Sequence, residues 1–317
     1  MTRLLTYIED GKKRLGCLRD EGVIDVAAAI AERGLPATDT LERYIAEGPD
    51  HWRAAEEALD GTNAARRPLE TLTLAAPLTP GAIICGGANF HDHLAETGRA
   101  KPDRIEFFLK VPTSVVGPRD DVRMDPLLSR KYDYEVELGV VVGRNATNVS
   151  AERALEHVFG YLVLNDVSIR DHQIVFDDDG TSHGRFGQGK NFRDACPIGP
   201  WVVTASEIAD PSQLCLETRV DGQLRQRAHM RTAIWSVPEQ IAYYSRHLTL
   251  RPGWVVATGT PGGPALGNDP ELRARPHALP EGVQRGGYVQ PGQVVECRID
   301  GIGTLVNRYV VPEGELA

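Results

Sequence analysis

Nowhere in the 317 residues does an apolar run approach the ~18 residues that a membrane-crossing helix needs. The opening stretch MTRLLTYIEDGKKRLG carries a charge every few positions where a signal peptide would carry its apolar core. Neither secretion nor membrane insertion is therefore expected, and a cytoplasmic location is. The sequons at Asn145 and Asn148 match the glycosylation pattern by letter only. Cysteine is sparse: Cys17, Cys85, Cys196, Cys215 and Cys297 are scattered, odd in number and without C-x-x-C spacing, which argues against a disulfide framework and a zinc site and for a reducing compartment. Basic clusters are missing too. With 35 Lys and Arg against 44 Asp and Glu, the net charge is -9 and the pI near 5.5, so nucleic acid and anionic membrane are poor partners. There is no phosphate-loop motif, no repeat at a fixed period and no low-complexity segment. Small-molecule chemistry is the class that remains.

The hydrophobic fraction of 41% supports a real core. Residues 3–26 read as a three-stranded meander with turns at Asp-Gly and Glu-Gly, and AAAIAERG, TLERYIAEG and HWRAAEEALDG as short helices that stop near glycines. Residues 61–80, rich in Arg, Pro and Thr, read as a linker. The expected division is a small N-terminal α/β domain over 1–75 and a larger domain over 76–317. The second part is a series of short β-like runs between Gly and Pro, with one predicted helix, SAERALEHVFGY, starting at Ser150. The fold class is α+β and β-rich.

Within KYDYEVELGVVVG, residues 131–143, a strand would point Glu135 and Glu137 to one face and Tyr134, Val136, Leu138 and Val140 to the other. Two carboxylates about 7 Å apart repel, and withdrawing either from water carries a penalty unless a positive partner meets it. A solvated strand end is the commoner fate of an E-x-E pair, and a cation the more specific one. Asp166 follows the apolar run Tyr161–Leu164 and emerges at another strand end. By itself it reads as a turn or cap. If it meets the two glutamates, three carboxylates form an all-oxygen site suited to Mg²⁺ or Mn²⁺, with Ca²⁺ also admitted.

In GANFHDHLAETG, His93 and Glu96 lie three apart, neighbours on one helical face, where a glutamate can orient an imidazole as a general base toward water. His91 competes for the role, and the flanking glycines would let the segment move as a lid. A surface helix with an incidental pair is the plain alternative. Lys190, after glycines in RFGQGKNF, offers a mobile point charge to an anion, although lysines are commonly just exposed. ATGTPGG, residues 257–263, ends a strand in a turn whose amides and Thr260 hydroxyl suit a carboxylate, and as a turn it needs no function.

The order of these segments, NFHDHLAE, FFLK, DYEVELGVVVG, FGYLVLNDVSIRD, GKNF, PGWVVATGTPGG and PGQVVECRIDGIGTLVN, resembles the fumarylacetoacetate hydrolase superfamily over roughly residues 80–310, in its acylpyruvase and 2-hydroxyhepta-2,4-diene-1,7-dioate isomerase-like branch. The resemblance implies a mixed β-sandwich roll, with Glu135, Glu137 and Asp166 as ligands of Mg²⁺ or Mn²⁺. It implies Lys190 and Thr260 at the substrate's carboxylate and oxo oxygens, His93 and Glu96 as a lid dyad, and a homodimer. The implied reaction is hydrolysis of a carbon–carbon bond in an acylpyruvate-like dioxo acid through a metal-bound enolate, as in breakdown of aromatic compounds. Decarboxylation, isomerisation or dehydration on the same scaffold is the alternative, and a non-catalytic metal-binding module ranks last. Two segments depart from the expected pattern. IVFDDDGTSHGRFGQ reads as a long flexible loop near the site, and residues 264–288 exceed a tight turn and bring Arg273, Arg275 and His277 toward a second substrate charge or a neighbouring subunit.

Overall fold

The computed structural model describes residues 1–19, 22–275 and 277–313. Its principal strands are β1 (Arg3–Glu9), β2 (Lys12–Arg19), β3 (Gly22–Asp25), β4 (Ile83–Gly87), β5 (Glu106–Lys110), β6 (Val136–Val142), β7 (Val158–Asn165), β8 (Cys196–Thr204), β9 (Cys215–Val220), β10 (Gln223–His229), β11 (Val255–Ala257), β12 (Val294–Ile299) and β13 (Gly303–Val310). The helices used below are α1 (Val26–Ala31), α2 (Leu41–Glu47), α3 (Pro49–Gly61), α4 (His91–Thr97) and α5 (Val237–His247). The N-terminal meander closes through Asp10-Gly11, both at positive φ (49° and 71°), the left-handed pair that a tight hairpin demands. Thr40 caps α2 through Arg43 N–H, and Ser236 with Glu239 forms a capping box on α5.

One large sheet runs β3-β2-β1-β8-β7-β6-β11-β4-β5, antiparallel except where β11 pairs with β4. The N-terminal meander joins it directly, because Arg3 and Leu4 of β1 pair with Val203 and Val202 of β8. Residues 61–80, expected as a linker, instead contribute short strands at Arg66–Arg67 and Thr73–Ala75 that pair with β3 and β1. A second sheet, β10-β9-β12-β13, packs on one face of the first, with α5 alongside. The other face is covered by α1, α2 and α3 through Ile30, Leu41, Ile45 and Leu59. Both faces of β6 and β7 are therefore dry, and their residues sort by parity. Val136, Leu138, Val140, Tyr161 and Val163 enter the core between the sheets, while Val141, Leu162 and Leu164 enter the core beneath the helices. This is the mixed α+β, strand-rich roll expected.

Two further segments differ from expectation. The helix predicted from Ser150 is a 3₁₀ helix over Ala151–His157 that gives way to β7 at Val158, since Val158 and Phe159 already feed opposite cores. The expected flexible loop after Asp166 holds a hairpin, Ile174–Phe176 against Ser182–Gly184, turned at Gly180 (φ 84°), then a helical turn at Phe186–Gly189. Phe186 stacks on Phe108 of β5 with ring centroids 4.8 Å apart, which fixes the turn against the sheet edge.

Candidate active site

The carboxylates come together by strand register. Glu137 pairs with Leu164, and one pleat farther Asp166 N–H donates to Glu135 O at 2.9 Å, so Glu135, Glu137 and Asp166 share the helix-covered face where β6 begins and β7 ends. All three are buried, and ligand oxygens from the three lie within 4.8 Å of one another. Asn165 Oδ1, on the opposite face, accepts Glu135 N–H at 2.9 Å and holds the irregular entry to β6.

Three cations answer these charges. Lys190 Nζ lies 2.5 Å from Glu135 Oε2 and 2.7 Å from Asp166 Oδ2, and Lys110 Nζ lies 2.7 Å from Asp166 Oδ1. Arg170 donates to Glu135 through Nη2 and to Asp133 through Nε at 2.8 Å. Burial pushes Glu135 upward, but Arg170 and then Lys190 outweigh it and hold the carboxyl well below its usual range. Burial works against the Lys190 ammonium, and Asp166 with Glu135 overcomes that and raises its pKa. Glu137 has no such partner. It accepts Gly259 N–H at 2.8 Å, and burial, followed by repulsion from Asp166 and Glu135, drives it well above the carboxylate range. A buried carboxyl that can ionise only against added positive charge, beside two other carboxylates, is an all-oxygen donor set that fits a hard divalent cation, Mg²⁺ or Mn²⁺.

A cavity of about 820 Å³ opens over the triad. His93, Lys190 and Thr260 line it with the three carboxylates. Glu96 stands behind His93: it is buried, its carboxylate accepts Gly263 N–H at 3.0 and 3.1 Å, and its Oε2 is 3.7 Å from His93 Nδ1. At that distance the dyad is a close pair one short movement from a hydrogen bond. His91 is exposed on the far side of α4, and the segment ends in a left-handed cap at Gly98 (φ 64°). Thr260 Oγ1 accepts from Gln226 Nε2 at 2.8 Å, which leaves its own proton to donate into the cavity. Lys190 differs from the mobile charge expected: it is buried and fixed between two carboxylates. Sequence reasoning passed over Lys110, Asp133 and Arg170. Each sits inside a quoted run, in FFLK, DYE and SIRD, but only long-range pairing shows that Arg170 answers Asp133 and Glu135 while Lys110 answers Asp166. Asp194 is taken up structurally, holding Arg123 Nε at 2.6 Å.

A two-sheet roll with a buried three-carboxylate centre beneath a histidine–glutamate pair defines the class of protein. The chain belongs to the fumarylacetoacetate hydrolase family: the family model for the fumarylacetoacetate (FAA) hydrolase C-terminal region matches residues 82–310. It is 33% identical over 97% of both chains to a fumarylacetoacetate hydrolase domain-containing protein 2 homolog of Dictyostelium discoideum. It is 34% identical to oxaloacetate tautomerase YisK of Bacillus subtilis, over 84% of this chain and 83% of that one. Among solved structures, maleylpyruvate hydrolase from Sphingobium sp. SYK-6, in complex with manganese(II) and pyruvate, superposes with a TM-score of 0.75 at 28% identity, covering 98% of this chain and all of that one. The chain is thus an enzyme of this superfamily, which includes hydrolases, isomerases and a tautomerase. Among the described residues no helix is long and apolar enough to cross a membrane.

Proposed function

We propose that the protein is a divalent-cation-dependent hydrolase that cleaves a carbon–carbon bond in an acylpyruvate-like dioxo acid. The observation that carries this reading is that His93, backed by Glu96, lines one cavity with Glu135, Glu137 and Asp166. The similar maleylpyruvate hydrolase, with manganese and pyruvate, supports it. When bound by the three carboxylates, Mg²⁺ or Mn²⁺ would supply positive charge for the oxo acid's oxygens and for the charge that develops there. The protein's groups do the rest. Lys190 and Thr260 hold the substrate carboxylate and oxo group. His93, oriented by Glu96, takes a proton from water as the oxygen attacks the distal carbonyl. The carbon–carbon bond then breaks, its electron pair passes to the pyruvate fragment as an enolate, and that carbon takes up a proton. The distal acyl group leaves as a carboxylate.

A second reading, keto–enol tautomerisation of an oxaloacetate-like acid, is favoured by the similarity to the tautomerase, and in it His93 would move a proton at substrate carbon. Both readings share an enolate; only hydrolysis consumes water. The deciding experiment follows pyruvate release from acetylpyruvate, and loss of enol absorbance from oxaloacetate, each with Mn²⁺ and with chelator. Chelator-sensitive pyruvate release that falls about 10²–10⁴-fold in His93→Ala is the expected result. Release that survives His93→Ala would sink the hydrolase reading, and enol loss without release would select the tautomerase.

A further inference from the structure

Asp133 lies outside the cavity lining, and no step above uses it, yet its side chain is fully buried and held from four directions. Oδ1 accepts the N–H of Tyr134 at 2.9 Å and of Ala265 at 2.8 Å, and Oδ2 accepts Leu266 N–H at 3.0 Å and Arg170 Nε at 2.8 Å. Through Nη2 the same guanidinium holds Glu135. The chain that donates to Asp133 also reaches two other carboxylates. Gly259 N–H donates to Glu137, and Gly263 N–H to both oxygens of Glu96. Residues 259–266 thus contact, in order, a triad glutamate, the dyad glutamate and Asp133.

Charge gives this contact a consequence. Asp133, Glu135, Glu137 and Asp166 are buried with Lys110, Lys190 and Arg170, so once Glu137 gives up its proton to bind a cation, four carboxylates face three cations and one negative charge is left over. Asp133 draws Arg170 away from full neutralisation of Glu135. Without it Arg170 would answer Glu135 alone, and the cluster would have no excess charge to attract a cation. We propose that Asp133 is a positioning residue that sets the divalent-cation affinity of the triad and couples cation binding to the order of residues 259–266, and through Gly263 to the His93–Glu96 pair. This rests on the cation-binding part of the proposed function and is independent of which reaction follows.

The test uses the full chain, with Mn²⁺ binding measured by calorimetry and hydrogen exchange measured with and without Mn²⁺. In the wild type, Mn²⁺ should slow exchange at residues 263–267. Asp133→Asn keeps the size and one acceptor oxygen but removes the charge and the second acceptor, and it should weaken Mn²⁺ binding about 10–100-fold and abolish most of that slowing. A purely structural role would lower the melting temperature without moving the affinity measured well below it. Ala265→Pro keeps the carboxylate and deletes one donor at the start of a 3₁₀ turn, where the ring is tolerated. It should bind Mn²⁺ nearly normally yet lose the slowing. Asp133→Asn that binds Mn²⁺ within about twofold of wild type overturns the proposal. If that variant does not fold, Ala265→Pro that retains the full Mn²⁺-induced slowing overturns it. A wild type that hydrolyses no oxo acid but shows both effects would leave this inference standing while the hydrolase reading fell.

Discussion

Glu137 is the residue at which cation demand and stability meet. An acid whose folded pKa is raised binds more protons folded than unfolded, so it destabilises the fold as pH rises from its unfolded value, near 4.3, toward the raised one. Glu135 behaves oppositely: Arg170 and Lys190 hold it low, so its stabilising contribution is complete once pH exceeds the unfolded value and is lost only in acid. Of the two, only Glu137 gives a slope above about pH 4.3, at most about 1.4 kcal/mol per pH unit. With chelator present, the wild-type melting temperature should decline with pH over that range, and Glu137→Gln should flatten the decline. Mn²⁺ should raise the wild-type melting temperature and leave Glu137→Gln nearly unmoved, since binding to the folded state alone stabilises it. Equal Mn²⁺ shifts in both proteins would remove Glu137 from the cation site.

The elements show why part of the site was legible in sequence and part was not. Alternation along β6 and β7 fixes which face each residue takes, so the shared face of Glu135 and Glu137 could be read from local pattern, while bringing Asp166 to them took the family resemblance in sequence and the β6–β7 register in structure. Helical spacing likewise brought His93 to Glu96. The neutralising set was not legible, because Arg170 reaches Asp133 across 37 residues and Lys110 reaches the Asp166–Val167 segment across as many as 57. The run after Ser150 misled in another way: its composition suits a helix, but burial on two faces from Val158 onward imposes a strand. The turn after β11 carries the strongest backbone constraint. Gly263 has φ 111°, and a Cβ there would stand 2.0 Å from Arg225 O. Gly263→Ala must move the amide that holds Glu96. It should cost roughly 1–3 kcal/mol in urea denaturation and lower kcat with Mn²⁺ affinity largely kept, since the triad's own strands are untouched. An unchanged kcat would show that Glu96 does not need this amide.

At the scale of the whole molecule, the cavity mouth is assembled from parts distant in sequence: α4, the hairpin 174–184, β5 and the 264–288 segment. The long segment ties the others together. Arg275 N–H donates to Glu96 O at 2.8 Å, while Arg273 Nη1 donates to Gly180 O at 2.7 Å and its guanidinium lies 4.3 Å over the Phe176 ring. Arg99, nearby, is already paired with Glu106 at 2.7 Å. No ion pair joins Arg273 or Arg275 to a carboxylate among the described residues, and both line the cavity. On the proposed function the deep end would hold one carboxylate of an oxo acid, and the rim's positive charge would then meet a second anionic group at the other end of the substrate. Arg273 is committed to the hairpin, which makes Arg275 the freer of the two. Arg275→Gln should therefore raise KM about tenfold, near 1.4 kcal/mol, for oxo acids with a second carboxylate. It should leave acetylpyruvate, which has none, within twofold. Steady-state kinetics on matched substrates with and without the distal carboxylate reads the difference directly. Equal effects on both would assign Arg275 to holding α4, through the backbone contact it makes with Glu96, instead of to recognising charge.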